Sequence, residues 1–137
     1  MRRLALLALA AAALTACASG AAGTSKGPTS LKITYWAQGP DAGAPTRWTL
    51  RCSPARGTLP RPAVACRKLL AGGPRLFATL PPNSACTQIY GGPRVARVVG
   101  TVTGKRVWAT FSRTNGCEIS RWDAITPWLV PRGGVTS

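Results

Sequence analysis

Arg94 to Phe111 reads RVARVVGTVTGKRVWATF, and this stretch decides the fold class. Apolar and polar residues alternate over Arg94–Val102 and again over Arg106–Phe111, the period of a strand with one face buried. Between them Thr103-Gly104-Lys105 is hairpin punctuation, so two neighbouring strands run antiparallel. Working outward, Leu31–Trp36 alternates Leu, Ile and Tyr with Lys, Thr and Trp, and Arg47–Cys52 sets Trp48, Leu50 and Cys52 against polar or basic residues. The turn-rich Gln38–Pro45 connects these two strands. Pro60-Arg61-Pro62 opens Ala63–Ala71, rich in helix-forming Ala and Leu, and Gly72-Gly73-Pro74 closes it as a helix stop does. A last helical turn is expected over Ile119–Ile125, ahead of Pro127. The sum is an α+β domain, an antiparallel sheet of about five strands carrying one or two short helices.

A chain of 137 residues suits one such domain with a short extension. It holds 18 Lys and Arg against 3 Asp and Glu, a formal charge of +15, yet 45% of it is hydrophobic, so it can bury a core. It has no His, and its carboxylates are Asp41, Glu118 and Asp123. His-based triads, His metal sites and most paired-carboxylate hydrolytic sites are therefore excluded, and the chain is not read as an enzyme. The excess of cations favours acidic partners without choosing among them.

At the N-terminus Arg2 and Arg3 precede Leu4–Ala13, an unbroken run of Leu and Ala suited to the core of an export signal and too short to span a bilayer. The run leads into Leu14-Thr15-Ala16-Cys17, which looks like a bacterial lipobox whose Cys17 sulfur takes a diacylglycerol group. Residues 1–16 are thus expected to be a lipoprotein signal peptide and 17–30 a flexible tether. A folded domain is expected over 31–130, with a tail over 131–137. The protein would be exported and held by lipid at Cys17 to the outer face of the bacterial cell membrane.

Four cysteines remain, Cys52, Cys66, Cys86 and Cys117, an even number that suggests two disulfides in an exported domain. Three pairings are open. Zinc is disfavoured because no two of these cysteines are close in sequence and no His can complete a ligand set. No metal and no cofactor is implied.

Pro81-Pro82-Asn83-Ser84-Ala85 leads into Cys86-Thr87-Gln88-Ile89-Tyr90 and then Gly91-Gly92-Pro93, an irregular loop containing a half-cystine. Together with Arg47-Trp48-Thr49-Leu50-Arg51-Cys52, the helix carrying Cys66, Gly104-Lys105-Arg106-Val107 and Phe111–Asp123 with its Asn115-Gly116-Cys117-Glu118-Ile119, this loop resembles the bacterial subtilisin inhibitor-like family of secreted protease inhibitors. The resemblance covers about Leu31 to Leu129.

The resemblance implies a five-stranded antiparallel sheet with two helices, disulfides Cys52–Cys66 and Cys86–Cys117, and often a homodimer formed through the sheet. It implies inhibition of a serine protease, subtilisin-like or trypsin-like, through a substrate-like loop cut after the second residue beyond the loop cysteine. Here that bond is Gln88-Ile89. Cys86 and Thr87 would precede it, Tyr90 would follow, and Asn115 would brace the loop from below. Gly91-Gly92 is expected to leave the backbone beyond the bond more flexible than the family's loop. The alternative is a noncatalytic basic envelope lipoprotein that keeps the inhibitor scaffold as a binding module and uses Trp36, Trp48, Trp108 and Trp122. Nucleic acid is a poor partner for an exported, tethered protein.

Replacing Cys17 with Ser is expected to release the protein from membranes or leave its signal uncleaved. Fractionation with mass measurement checks this, and a processed, membrane-bound Cys17→Ser protein would refute the lipid assignment.

Overall fold

The computed structural model describes residues 26–132. The residues assigned to the signal, Cys17 and the first part of the tether lie outside them. β1 (Ser30–Trp36), β2 (Thr46–Arg51), β3 (Val95–Val102) and β4 (Lys105–Phe111) form an antiparallel sheet in the order β2-β1-β3-β4. α1 (Pro62–Gly72), a 3₁₀ turn (Gly73–Phe77) and α2 (Gly116–Ile125) complete the α+β architecture.

Register follows from the alternation. Ile33 lies between Trp48 and Val98, and Val98 faces Ala109; Leu31 lies opposite Leu50, and Ala96 opposite Phe111. These residues point to one side, where nearly all are buried with Leu69, Phe77, Trp122, Ile125 and Leu129. The β3–β4 hairpin closes through a tight turn at Thr103 (φ 49°) and Gly104 (φ 83°), the left-handed geometry that matches strand twist. Backbone engagement begins ahead of β1, where Pro28 O accepts from Gly104 N–H at 2.8 Å and Thr29 O from Cys52 N–H at 3.1 Å.

The sheet has four strands among the described residues, a correction to the expected five. Two segments approach strand pairing and stop. Arg56 bridges Arg51, and Leu59 N–H reaches Thr49 O at 3.2 Å, but Pro60 and Pro62 follow at once and cannot donate to a ladder. The segment before β3 carries Pro81, Pro82 and Pro93 and likewise forms no ladder.

α1 starts on Pro62 at its first turn and ends at Gly73, whose φ of 66° suits glycine. α2 begins three residues before the expected Ile119, because Asn115 Oδ1 accepts from Glu118 N–H at 3.0 Å and caps the helix. Gly116 and Cys117 are weak helix formers, so propensity places the start too late. Arg121 fastens α2 to β4: its Nη1 donates to Glu118 at 2.7 Å and to Thr110 O at 3.2 Å, and its guanidinium lies 4.7 Å from the Phe111 ring centroid. Both expected disulfides are present, Cys52–Cys66 and Cys86–Cys117.

Trp122 is 0% exposed, lies 6.3 Å from the Tyr35 ring, and buries its indole N–H without a hydrogen-bond partner among the described residues. Trp122→Ala is expected to cost about 3–5 kcal/mol of stability. Trp122→Phe is expected to cost clearly less, because it keeps a ring and removes the unpaired donor. Urea unfolding followed by circular dichroism checks both.

Candidate functional site

The candidate site is the segment between the 3₁₀ turn and β3. Its prolines fix φ and withhold donors, so it must be held by contacts to other parts of the chain. It is held along one line, the Arg113–Cys117 junction between β4 and α2.

Three ties form that line. The Cys86–Cys117 disulfide joins Cα atoms 5.3 Å apart. One residue on, Gly116 N–H donates to Thr87 O at 2.9 Å. Beyond the tip, Gly91 N–H donates to Arg113 O at 2.7 Å while Arg113 Nε donates back to Gly91 O at 2.7 Å. Gln88, Ile89 and Tyr90 span the interval between the held positions, with Ile89 61% and Tyr90 65% exposed. Among the described residues, the side-chain hydrogen bond in this interval is internal to the loop: Gln88 Nε2 donates to Cys86 O at 3.3 Å.

Glycine makes the close approach possible at both ends. A Cβ on Gly116 would collide with Thr87 Oγ1, and one on Gly91 would meet Ile119 Cδ1 at 2.9 Å and Arg113 Nε at 3.0 Å. Gly91 is therefore a gripped position, contrary to the flexibility expected there. Gly92, with a φ of 108°, supplies the left-handed residue that turns the chain toward β3.

Arg113 is nearly buried, with its side chain 12% exposed, and its guanidinium lies 3.7 Å from Asp123 on α2. Asp123 is 62% exposed, so this ion pair contributes little, and the bond to Gly91 O is the stronger tie.

The structure brings Cys86, Thr87, Gln88, Ile89 and Tyr90 into one exposed bend supported by Cys117. Asn115 sits at the junction, where its side-chain oxygen caps α2 and the loop bond comes from the neighbouring Gly116 N–H. The four tryptophans of the binding-module alternative are dispersed: Trp122 is in the core, Trp48 stacks on Tyr35 at 5.9 Å, Trp36 is half-buried, and Trp108 is exposed. Arg113, Gly91 and Gly116 were missed as supports. A glycine beside a half-cystine marks a close approach and could have flagged Gly116. Nothing in the sequence sets Arg113 apart from the other arginines.

A family model described as subtilisin inhibitor-like matches residues 27–115, from the first packed residues to the α2 cap. No curated protein sequence matches the chain. Among solved structures, the chain is similar to Streptomyces caespitosus sermetstatin, crystallised in complex with Bacillus licheniformis subtilisin. The two are 27% identical with a TM-score of 0.51, over 77% of this chain and 100% of that one.

Removing the Arg113 side chain while leaving Cys86–Cys117 and Gly116 in place is expected to loosen the loop beyond its tip. Arg113→Ala should speed amide hydrogen exchange at Ile89–Gly91 roughly tenfold, the loss of one charge-assisted hydrogen bond, with the core amides little changed. Exchange read residue by residue checks this.

Proposed function

The chain belongs to the subtilisin inhibitor-like family, and from that membership we propose that it is a non-enzymatic inhibitor of serine proteases that presents Gln88-Ile89 as its reactive bond. The observation carrying the reading is the placement of that bond between two gripped positions, Thr87 on Gly116 and Gly91 on Arg113. The complex in which the similar inhibitor was crystallised supports a subtilisin-type protease as the partner class.

The mechanism follows from preorganisation. A peptide bound by a protease normally loses backbone entropy on docking, of the order of 1–2 kcal/mol per residue fixed. Here the ordering is largely complete before the enzyme arrives, so more of the contact energy appears as affinity. Thr87, β-branched, adds its own preference for extended backbone. Cleavage gains little, because the new ends stay held at Cys86–Cys117 and at Gly91 and remain in register for religation. Gln88 enters the specificity pocket, while Ile89 and Tyr90 present exposed apolar area to the leaving-group side.

The reading extends to location: the lipobox-like Leu14-Thr15-Ala16-Cys17 supports an inhibitor tethered by lipid at the cell surface. There it would meet proteases arriving from outside.

Gln88 sets the strength. Its amide must shed water to enter an apolar pocket, a cost of roughly 1–3 kcal/mol where no partner replaces it. Gln88→Met and Gln88→Leu are therefore expected to tighten inhibition of subtilisin by about 10-fold or more, and Gln88→Lys to shift it toward trypsin, whose pocket carries an acid. Titration of residual protease activity checks both. If the Met and Lys variants fold and stay as inert as an inert parent against both enzymes, the loop is not a reactive site and the scaffold serves as a binding module.

A further inference from the structure

The two ends of the exposed bend are held by bonds of different kinds. Before Gln88-Ile89 the tie is covalent: Cys86, two residues from Gln88, is bonded to Cys117, and Gly116 N–H adds its bond to Thr87 O. After it, the hold at Gly91, two residues from Ile89, consists of hydrogen bonds to a single residue. Arg113 O accepts from Gly91 N–H and Arg113 Nε donates to Gly91 O, both at 2.7 Å. Farther on, Gly92 turns the chain at a φ of 108°, Arg94 Nε donates to the Tyr35 hydroxyl at 3.1 Å, and β3 begins at Val95.

The Arg113 side chain is 12% exposed and lies so close that a Cβ on Gly91 would meet its Nε at 3.0 Å. Its Nη1 faces Asp123 at 3.7 Å, so the Nε–H bond to Gly91 O is a separate interaction of the same guanidinium.

We infer that Arg113 is the positioning residue that decides whether the loop survives a protease or is consumed by it, an inference that rests on reading Gln88-Ile89 as the reactive bond. In that reading the protease serine hydroxyl adds to the Gln88 carbonyl carbon, the C–N bond to Ile89 breaks, and the departing amine takes up the proton given up by the serine. An ester of Gln88 and a free Ile89 amine result. Two fates follow. The amine attacks the ester, returns its proton to the serine oxygen and restores the loop, or water attacks instead and leaves a Gln88 carboxylate. The balance depends on where the amine is. Held two residues from a fixed Gly91, it stays beside the ester as an oriented intramolecular nucleophile. With Gly91 released, the new end is a short strand containing two glycines, and its local concentration falls to the millimolar range of a flexible linker. The half before the bond has no such weakness, because the disulfide retains it in either case. Arg113 therefore governs retention of the leaving half more than first binding of the protease.

The test replaces Arg113 in the full chain with two side chains of matching reach: Gln puts an amide N–H donor at the position of Nε, and Met puts a methyl there. Each protein is incubated with a trace of subtilisin until the ratio of cleaved to intact Gln88-Ile89 is constant, read by mass spectrometry after reduction. Early inhibition by the intact form is titrated separately. Arg113→Met is expected to raise the cleaved-to-intact ratio roughly tenfold to a hundredfold, the loss of one charge-assisted hydrogen bond, with early inhibition weakened far less. Arg113→Gln is expected to recover part of the parental ratio, and Asp123→Asn to keep it. A packing role would treat Met and Gln alike, so equal ratios for the two overturn the inference. So does a ratio that rises only in proportion to the loss of early inhibition, which would assign Arg113 to binding. A parent that is cut at Gln88-Ile89 and a Met variant with the parental ratio overturn this inference alone. A parent that subtilisin neither binds nor cuts there overturns the reactive-bond reading, and this inference with it.

Discussion

The fastening of the Cys86–Gly91 segment to the Arg113–Cys117 junction is the constraint on which the site depends. The disulfide Cys86–Cys117 spans a sequence separation of 31, for which loop-closure entropy gives roughly 3–4 kcal/mol. That energy fixes one point only. What shapes the backbone on either side of Gln88-Ile89 is directional: Gly116 N–H to Thr87 O, and the paired bonds between Gly91 and Arg113. A covalent bond and oriented hydrogen bonds acting from one strip of chain leave the exposed bond few ways to move.

That strip is only as rigid as what lies under it. Phe111 ends β4 and packs edge-on against Phe77 at 6.1 Å, while Trp122 and Ile125 sink the far side of α2 into the core. Asn115 sets where α2 starts, and so fixes the direction of the Gly116 N–H that reaches Thr87. Hydrophobic burial holds the helix, the helix cap aims a donor, and the donor shapes the loop. The second disulfide, Cys52–Cys66, does for α1 what Cys86–Cys117 does for the loop, tying it to the end of β2.

Period-two alternation made β1 to β4 legible, since each strand has one buried and one exposed face and the residues say which. Pro62 and Gly73 likewise marked α1, because each acts through its own backbone. The family resemblance pointed to Cys86–Tyr90 and to both cysteine pairings, which spacing by itself left open. What could not be read is non-local. Gly91 looks permissive in sequence, and its firmness comes from Arg113, 22 residues away. Asn115, expected to brace the loop, also caps with its Oδ1 a helix whose start propensity did not reveal. A fifth strand was expected from the strand count and the resemblance; the segment Arg56–Leu59 touches β2, but Pro60 and Pro62 lack the N–H that would carry the ladder on.

The same contacts separate what is ready in the free loop from what is not. The backbone around Gln88-Ile89 is held by main-chain groups and by Arg113, none of which has to move for a protease to approach. The Gln88 side chain is different, because its amide donates to Cys86 O within the loop. Entering a pocket requires that bond to break, and Cys86 O then needs a new donor. A single exposed hydrogen bond of this kind is worth about 1 kcal/mol, comparable with the rotamer entropy Gln loses on being fixed. Preorganisation in this loop therefore resides in the main chain, while its affinity turns on one side chain that must first let go of its own backbone.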